Sequence, residues 1–192
     1  MGPLEAAPAR SLQVIRPQPV EVIPEQRVLD TLVARGFMEG IHFAFVDPAL
    51  QAALFPGVPV HALANPISSE LAVMRTSLWA GLLKATLDNQ RRQQSRIKLF
   101  EQGVVFPVEG AETRRLAGVM GGSRWPEQWG GGREASDIFD LRADLESLLS
   151  LTGDRSAFEF VVDSLPCLHP GRTARLTRRG QTVGWIGELH PE

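Results

Sequence analysis

Two runs of strand-forming residues, Ile97 to Phe106 and Arg114 to Met120, are separated only by Pro107 to Thr113. So short a link returns a strand antiparallel to its predecessor, because a parallel partner needs a crossover of a dozen or more residues. The C-terminal part follows the same rule. Phe158 to Val162, Arg172 to Thr177 and Val183 to Leu189 read as three more strands, the last two joined by a tight turn at Arg179-Gly180. Helical and strand patterns do not alternate as βαβ units, so the chain reads as α+β.

Apolar spacing places the helices. Pro24 suits a first helical turn, Val28, Leu29, Leu32 and Val33 recur at helical intervals, and Gly36 ends the segment. Ile41, Phe43 and Phe45 alternate with His42 and Ala44, which predicts a strand with its Phe side on the core. Asp47-Pro48 opens a short helix to Leu54, and Val60 to Ala64 reads as another short strand. Ser77 is placed to cap a longer helix whose apolar stripe is Leu78, Trp79, Leu82, Leu83 and Leu87. Phe139 to Leu151 forms an amphipathic helix stopped at Gly153, and residues 121–135 read as loop. Residues 1–23, with prolines 3, 8, 17 and 19, read as an extended linker or junction segment, and 24–192 as one domain. Both ends read as cut from a longer polypeptide.

With 192 residues, 43% of them hydrophobic, a core can form without disulfides or metals. No run approaches the ~20 apolar residues of a membrane span, and the N-terminus lacks a secretory pattern. A single cysteine, Cys167, fits a reducing cytoplasm. Twenty basic against 22 acidic residues give a net charge of -2, which argues against a globally basic nucleic-acid binder. A local basic cluster of Lys84, Arg91, Arg92, Arg96 and Lys98 could still contact an RNA backbone, although cations matching a helix C-terminus explain it equally well. Cys167 with His169 is too few ligands for zinc. Gly130 to Arg133 lacks the Lys-Ser/Thr of a phosphate loop, and Gly122-Ser123-Arg124 lacks the second glycine of a nucleophile elbow. Trp125 and Trp129 are expected to pack back onto the body.

Three stretches carry a resemblance. The first is Gly36-Phe37-Met38-Glu39-Gly40-Ile41-His42-Phe43-Ala44-Phe45-Val46-Asp47-Pro48. The second runs from Asn65-Pro66-Ile67-Ser68-Ser69-Glu70 through Met74-Arg75-Thr76-Ser77-Leu78-Trp79 and Asn89 to Leu99-Phe100-Glu101-Gln102-Gly103. The third is His169-Pro170-Gly171-Arg172 followed by Gly184-Trp185-Ile186-Gly187-Glu188-Leu189-His190-Pro191. In this order and spacing they resemble the beta subunit of bacterial phenylalanine–tRNA ligase, over roughly residues 20 to 192.

The resemblance implies a class II aminoacyl-tRNA synthetase-like core, an antiparallel sheet flanked by helices, related to the alpha subunit's catalytic core but without activity of its own. It further implies assembly of two alpha with two beta subunits in the cytoplasm, away from membranes. That holoenzyme uses ATP and magnesium to esterify phenylalanine to tRNA(Phe). No cofactor is expected in this stretch, since the family's editing, anticodon-binding and magnesium regions are not in it. If Glu101 aligns with the glutamate of an Arg-x-Glu strand, Leu99 stands where an active enzyme keeps an arginine for the ATP α-phosphate. Trp79, Leu82, Leu83 and Leu87 are candidate contacts with partner chains. Asn65, Pro66, Arg75, Ser77, Glu101, His169, Gly171 and Arg172 are the family's structural positions, with the His169 to Arg172 run expected as a turn aiming the final hairpin. The competing readings are a nucleotide-binding enzyme domain and an RNA-binding module built on the 84–98 cluster.

Overall fold

The computed structural model describes residues 23–130, 132 and 134–191. The linker expected over residues 1–23 therefore lies outside the described residues, apart from Ile23. Helix α1 (Glu25–Ala34) follows Pro24 and ends before Gly36, whose φ of 83° only glycine adopts without strain. Then come β1 (Met38–Glu39), β2 (Phe45–Val46) and α2 (Pro48–Leu54), whose N-cap Asp47 accepts the Ala49 N–H at 2.8 Å. A 3-10 turn at Ser69–Leu71 leads to β3 (Val73–Met74) and α3 (Trp79–Arg91). The long hairpin is β4 (Arg96–Val105) with β5 (Thr113–Gly122). Helix α4 (Ile138–Ser150) precedes β6 (Phe158–Val162), β7 (Leu168–Arg178) and β8 (Gln181–Leu189).

These strands form three sheets, ordered β1-β4-β5, β2-β3 and β6-β7-β8. Every pairing is antiparallel except β1 with β4, where Met38 stands opposite Leu99. Strand β4 is covered on both sides, and its alternating residues serve two cores. Ile97, Leu99 and Val105 pack with Leu78 and Leu82 of α3, whereas Phe100 packs with Leu32 and Phe37 beside α1 and α4. A third cluster, Val46, Leu54, Val73, Ala80, Cys167 and Leu168, ties the small β2-β3 sheet to the C-terminal one.

Several sequence expectations need correction. Residues 41–43 are not a strand: Ile41 is 90% and Phe43 66% exposed, while His42 between them turns inward. Val60 to Ala64 contributes only one bridge, Ala62 to Val73. Ser77 stands one residue before the N-cap Leu78, yet its hydroxyl still accepts the Trp79 N–H at 3.2 Å. His169-Pro170-Gly171-Arg172 is no turn. It lies inside β7, where the register with β8 shifts between Leu168 and Thr173, a bulge that accommodates a proline without a ladder donor. The hairpin turn is at Arg179-Gly180, with φ of 50° and 80°. Trp129 is fully exposed and Trp125 half exposed, so the loop does not pack back through its tryptophans.

Candidate subunit face and its buried ion-pair centres

Arg75 leaves β3 and reaches β4. Its backbone N–H donates to Ala44 C=O and its C=O accepts from Phe106 N–H, both at 2.9 Å. Its side chain then donates from Nε to Val104 C=O at 2.9 Å and from Nη1 to Glu101 Oε1 at 2.6 Å. Gly103 leaves room for this guanidinium, since a Cβ there would lie 2.3 Å from Arg75 Nη2. The second carboxylate oxygen of Glu101 accepts from His42 Nδ1 at 2.7 Å. A carboxylate only accepts, so Nδ1 carries the proton. The imidazole is pinched between Gly40 and Gly81, where a Cβ would come within 2.7 and 2.8 Å of it. Burial opposes the charge of Glu101, but the hydrogen bonds from His42 and Arg75, with the Arg75 charge, outweigh it and hold this carboxyl below its usual range.

The opposite face of β4 carries a second centre. Lys98 Nζ meets Asp144 Oδ2 of α4 at 2.5 Å and the Arg35 carbonyl at 3.2 Å, while Arg35 Nε binds the other Asp144 oxygen at 2.5 Å. The ammonium also lies 4.6 Å from the centre of the Phe37 ring. Lys98 is buried, so it cannot contact tRNA, and its place in the basic cluster is corrected. Arg96 folds back over Gly36, its Nη2 3.2 Å from where a Cβ would stand, and is partly buried. Lys84, Arg91 and Arg92 are exposed on or just after α3, Lys84 facing Glu70 at 3.4 Å and Arg91 facing Asp88 at 3.8 Å.

The apolar candidates separate in the same way. Leu82 is wholly enclosed by its own chain and is core, not contact surface. Trp79 stacks on Phe55 at 6.0 Å between ring centres and, with Leu83, lines an internal groove. Leu87, 46% exposed, is the member that faces water. Leu99 is buried beneath α3 with Leu78 and Leu82, so this position faces closed core rather than a ligand cleft. The missing arginine there therefore carries nothing about phosphate binding.

Of the eight structural positions, Arg75 and Glu101 are in direct contact, and Ser77 lies two residues on from Arg75. Asn65 and Pro66 are exposed in the loop before the 3-10 turn. His169, Gly171 and Arg172 belong to the other three-stranded sheet. There the Gly171 N–H donates to His169 Nδ1 at 3.0 Å, and Arg172 pairs with Glu188 at 2.6 Å.

Residues 10–192 match the family model of the phenylalanyl tRNA synthetase beta chain CLM domain. The chain belongs to that family. The phenylalanine–tRNA ligase beta subunit of Pseudomonas fluorescens Pf-5 is 50% identical over 164 residues, covering 84% of this chain and 21% of its own length. That of Dickeya dadantii is 47% identical over 173 residues, covering 87% of this chain and 22% of its own. The chain thus spans about a fifth of the length of the curated relatives it matches. A pyrrolysyl tRNA synthetase from Desulfitobacterium hafniense superposes with a TM-score of 0.63 at 17% identity, covering 88% of this chain and 58% of the other. The chain thus shares the fold of that synthetase, reached from a very different sequence.

Local sequence patterns missed three residues that organise the two centres and the segment beside them: His42, Asp144 and Gln51. Gln51 is buried in α2 and donates from Nε2 to Thr76 Oγ1 at 2.6 Å, fastening the segment between Arg75 and α3. The signal within reach was glycine beside a polar residue in an apolar run, as at Gly40 and His42.

Proposed function

We propose that the chain is the structural core of a phenylalanine–tRNA ligase beta subunit, which seats a catalytic alpha subunit and performs no adenylation itself. The match of residues 10–192 to the beta-chain family carries this reading. The internal pairing of Glu101 with Arg75 and His42, and of Asp144 with Lys98 and Arg35, supports it, because these charges are spent on joining segments of the chain. The holoenzyme, two alpha and two beta subunits in the cytoplasm, would join phenylalanine to tRNA(Phe) with ATP and magnesium, the small molecules held by the alpha subunit. Leu87 of α3, and Ile41 and Phe43 held outward on either side of the anchored His42, are the exposed apolar side chains that would meet that partner. The exposed Lys84, Arg91 and Arg92 are the tRNA-backbone candidates that remain.

Mixing the chain with the alpha subunit and following mass by light scattering tests the proposal. A stable complex is expected, together with no ATP–pyrophosphate exchange by the chain alone. Exchange by the isolated chain, or no complex at micromolar concentrations, refutes it. Among the described residues no helix is long and apolar enough to cross a membrane.

A further inference from the structure

Only one of the two ring nitrogens of His42 is used inside the fold. Nδ1 donates to Glu101, and in the neutral ring Nε2 is then an acceptor with its lone pair free. Nε2 finds no donor among the described residues, yet it is not sealed in, because the side chain keeps 22% of its exposure. The ring is not at liberty to turn, since it fills the space left by the missing side chains of Gly40 and Gly81. Glu101 lies buried, but by holding Nδ1 it fixes the polarity of a surface that it does not itself reach.

The side chains around this acceptor belong to a contact surface. Single exposed apolar residues are ordinary on any protein. Here Met38, Ile41 and Phe43 are all exposed within one short segment, the last two directly flanking His42. The free charge of that segment has one sign. Glu39 is exposed and makes no ion pair with any described residue. Lys84, three residues beyond Gly81 in α3, is already engaged by Glu70 at 3.4 Å. The polar side chains offered here, His42 and Glu39, are therefore acceptors.

We propose that His42 Nε2 is a recognition point for the catalytic alpha subunit, which sets an N–H or O–H donor against it and apolar recesses against Ile41 and Phe43. This deepens the proposed function and rests on it. Complementarity singles out the partner. RNA meets proteins largely through phosphate oxygens, which are acceptors and anionic, like Glu39. A second copy packed about a two-fold axis brings the same patch to itself and sets acceptor against acceptor. A different protein chain meets neither objection, and a cationic donor on it also suits the free Glu39 carboxylate. The ring adds selectivity to an apolar contact. A chain without a donor at that place leaves Nε2 unpaired in a closed interface, which costs more than the bond it fails to make.

Nitrogen-15 labelling of the histidines, read by NMR, reports the ring proton directly. In the free chain His42 is expected with Nδ1 protonated and Nε2 bare. Adding the alpha subunit should move the Nε2 signal toward that of a hydrogen-bonded nitrogen. His42→Asn keeps an amide N–H for Glu101 and deletes Nε2, so it should weaken alpha-subunit binding roughly tenfold in calorimetry. Ile41→Ser, at a side chain almost wholly in water, should leave the melting temperature unchanged and weaken binding roughly fivefold. A His42→Asn chain that binds as tightly as the native one overturns the proposal, as does an Nε2 signal that the alpha subunit leaves in place. So does a shift of that signal with chain concentration alone, or with tRNA alone, which would give the surface to a second copy or to nucleic acid. Absence of any complex with the native chain would sink the proposed function and this inference together, whereas the other outcomes sink the inference alone.

Discussion

Replacing Glu101 by glutamine isolates what the first ion centre contributes. The Glu101 and Arg75 side chains are 4% and 6% exposed, so neither charge is relieved by water. Glutamine preserves shape, but it offers one acceptor where the carboxylate offered two. With its oxygen kept on Arg75 Nη1, its amide N–H₂ faces His42 Nδ1, which accepts only if the imidazole moves its proton to Nε2, and the Arg75 charge loses its counter-ion. Breaking a buried pair by removing one partner costs about 3–5 kcal/mol, since the remaining charge stays buried without its counter-ion. For a domain of this size that corresponds to a fall in melting temperature of roughly 6–20 °C. The four tryptophans allow urea unfolding to be followed by fluorescence. Acidity supplies a second readout. The folded-state pKa of Glu101 is depressed, so its stabilisation is fully present above its ordinary value of 4.5 and drains away as pH falls below that. Glu101→Gln should remove that part of the acid sensitivity. A loss below about 1 kcal/mol, with an unchanged acid profile, would show that the centre is solvated and the reasoning wrong.

Four further outcomes follow from the geometry. Leu82→Ala, at a site with no exposure, should cost about 2–5 kcal/mol in denaturant unfolding, where an interface residue would cost the isolated chain nothing. Gly122→Ala sets a Cβ 2.1 Å from the Ser95 carbonyl oxygen at a φ of 80°, and should lower stability by at least about 1–2 kcal/mol, read by calorimetry. Asp137 accepts the Phe139 and Asp140 N–H groups at the start of α4 and pairs with Arg124, so Asp137→Ala should cost about 1 kcal/mol and speed amide exchange in that first turn. If α3 touches tRNA, Arg91→Ala with Arg92→Ala should weaken binding and reduce the salt slope by about one per lost phosphate contact, whereas Lys98→Met should change stability and leave the slope alone.

The long elements were legible because local rules and tertiary burial agree in them. The β4-β5 hairpin has a short link, α3 has Leu78 and Leu82 on one stripe, and the Arg179-Gly180 turn needs two residues at positive φ. Misreadings fall where a distant polar partner decides. Alternation at Ile41, Phe43 and Phe45 pointed the phenylalanines inward, but the buried Glu101 carboxylate, 59 residues away, claims His42 and forces its neighbours out. Lys98 looked like one more surface cation after α3, and nothing near it announces Asp144 at a separation of 46 residues. In β7 a Pro-Gly pair has the composition of a turn, yet the strand absorbs it as a bulge.

The two ion centres have a joint consequence for β4. Lys98 points to the α1 and α4 side and Glu101 to the α3 side, an odd number of residues apart. Hydrophobic residues alone would specify this strand weakly, because both of its faces are apolar and either could sit under α3 or α4. A slip of one residue exchanges the faces. It would carry Glu101 toward Asp144 and Lys98 toward Arg75, setting like charges together in the interior on both sides. The buried pairs thus need not add net stability to be useful, because they exclude the alternative register. Strand β4 also fixes β5 through the ladder from Arg96 opposite Gly122 to Val105 opposite Thr113, so a β4 held in one register holds the whole hairpin in one place.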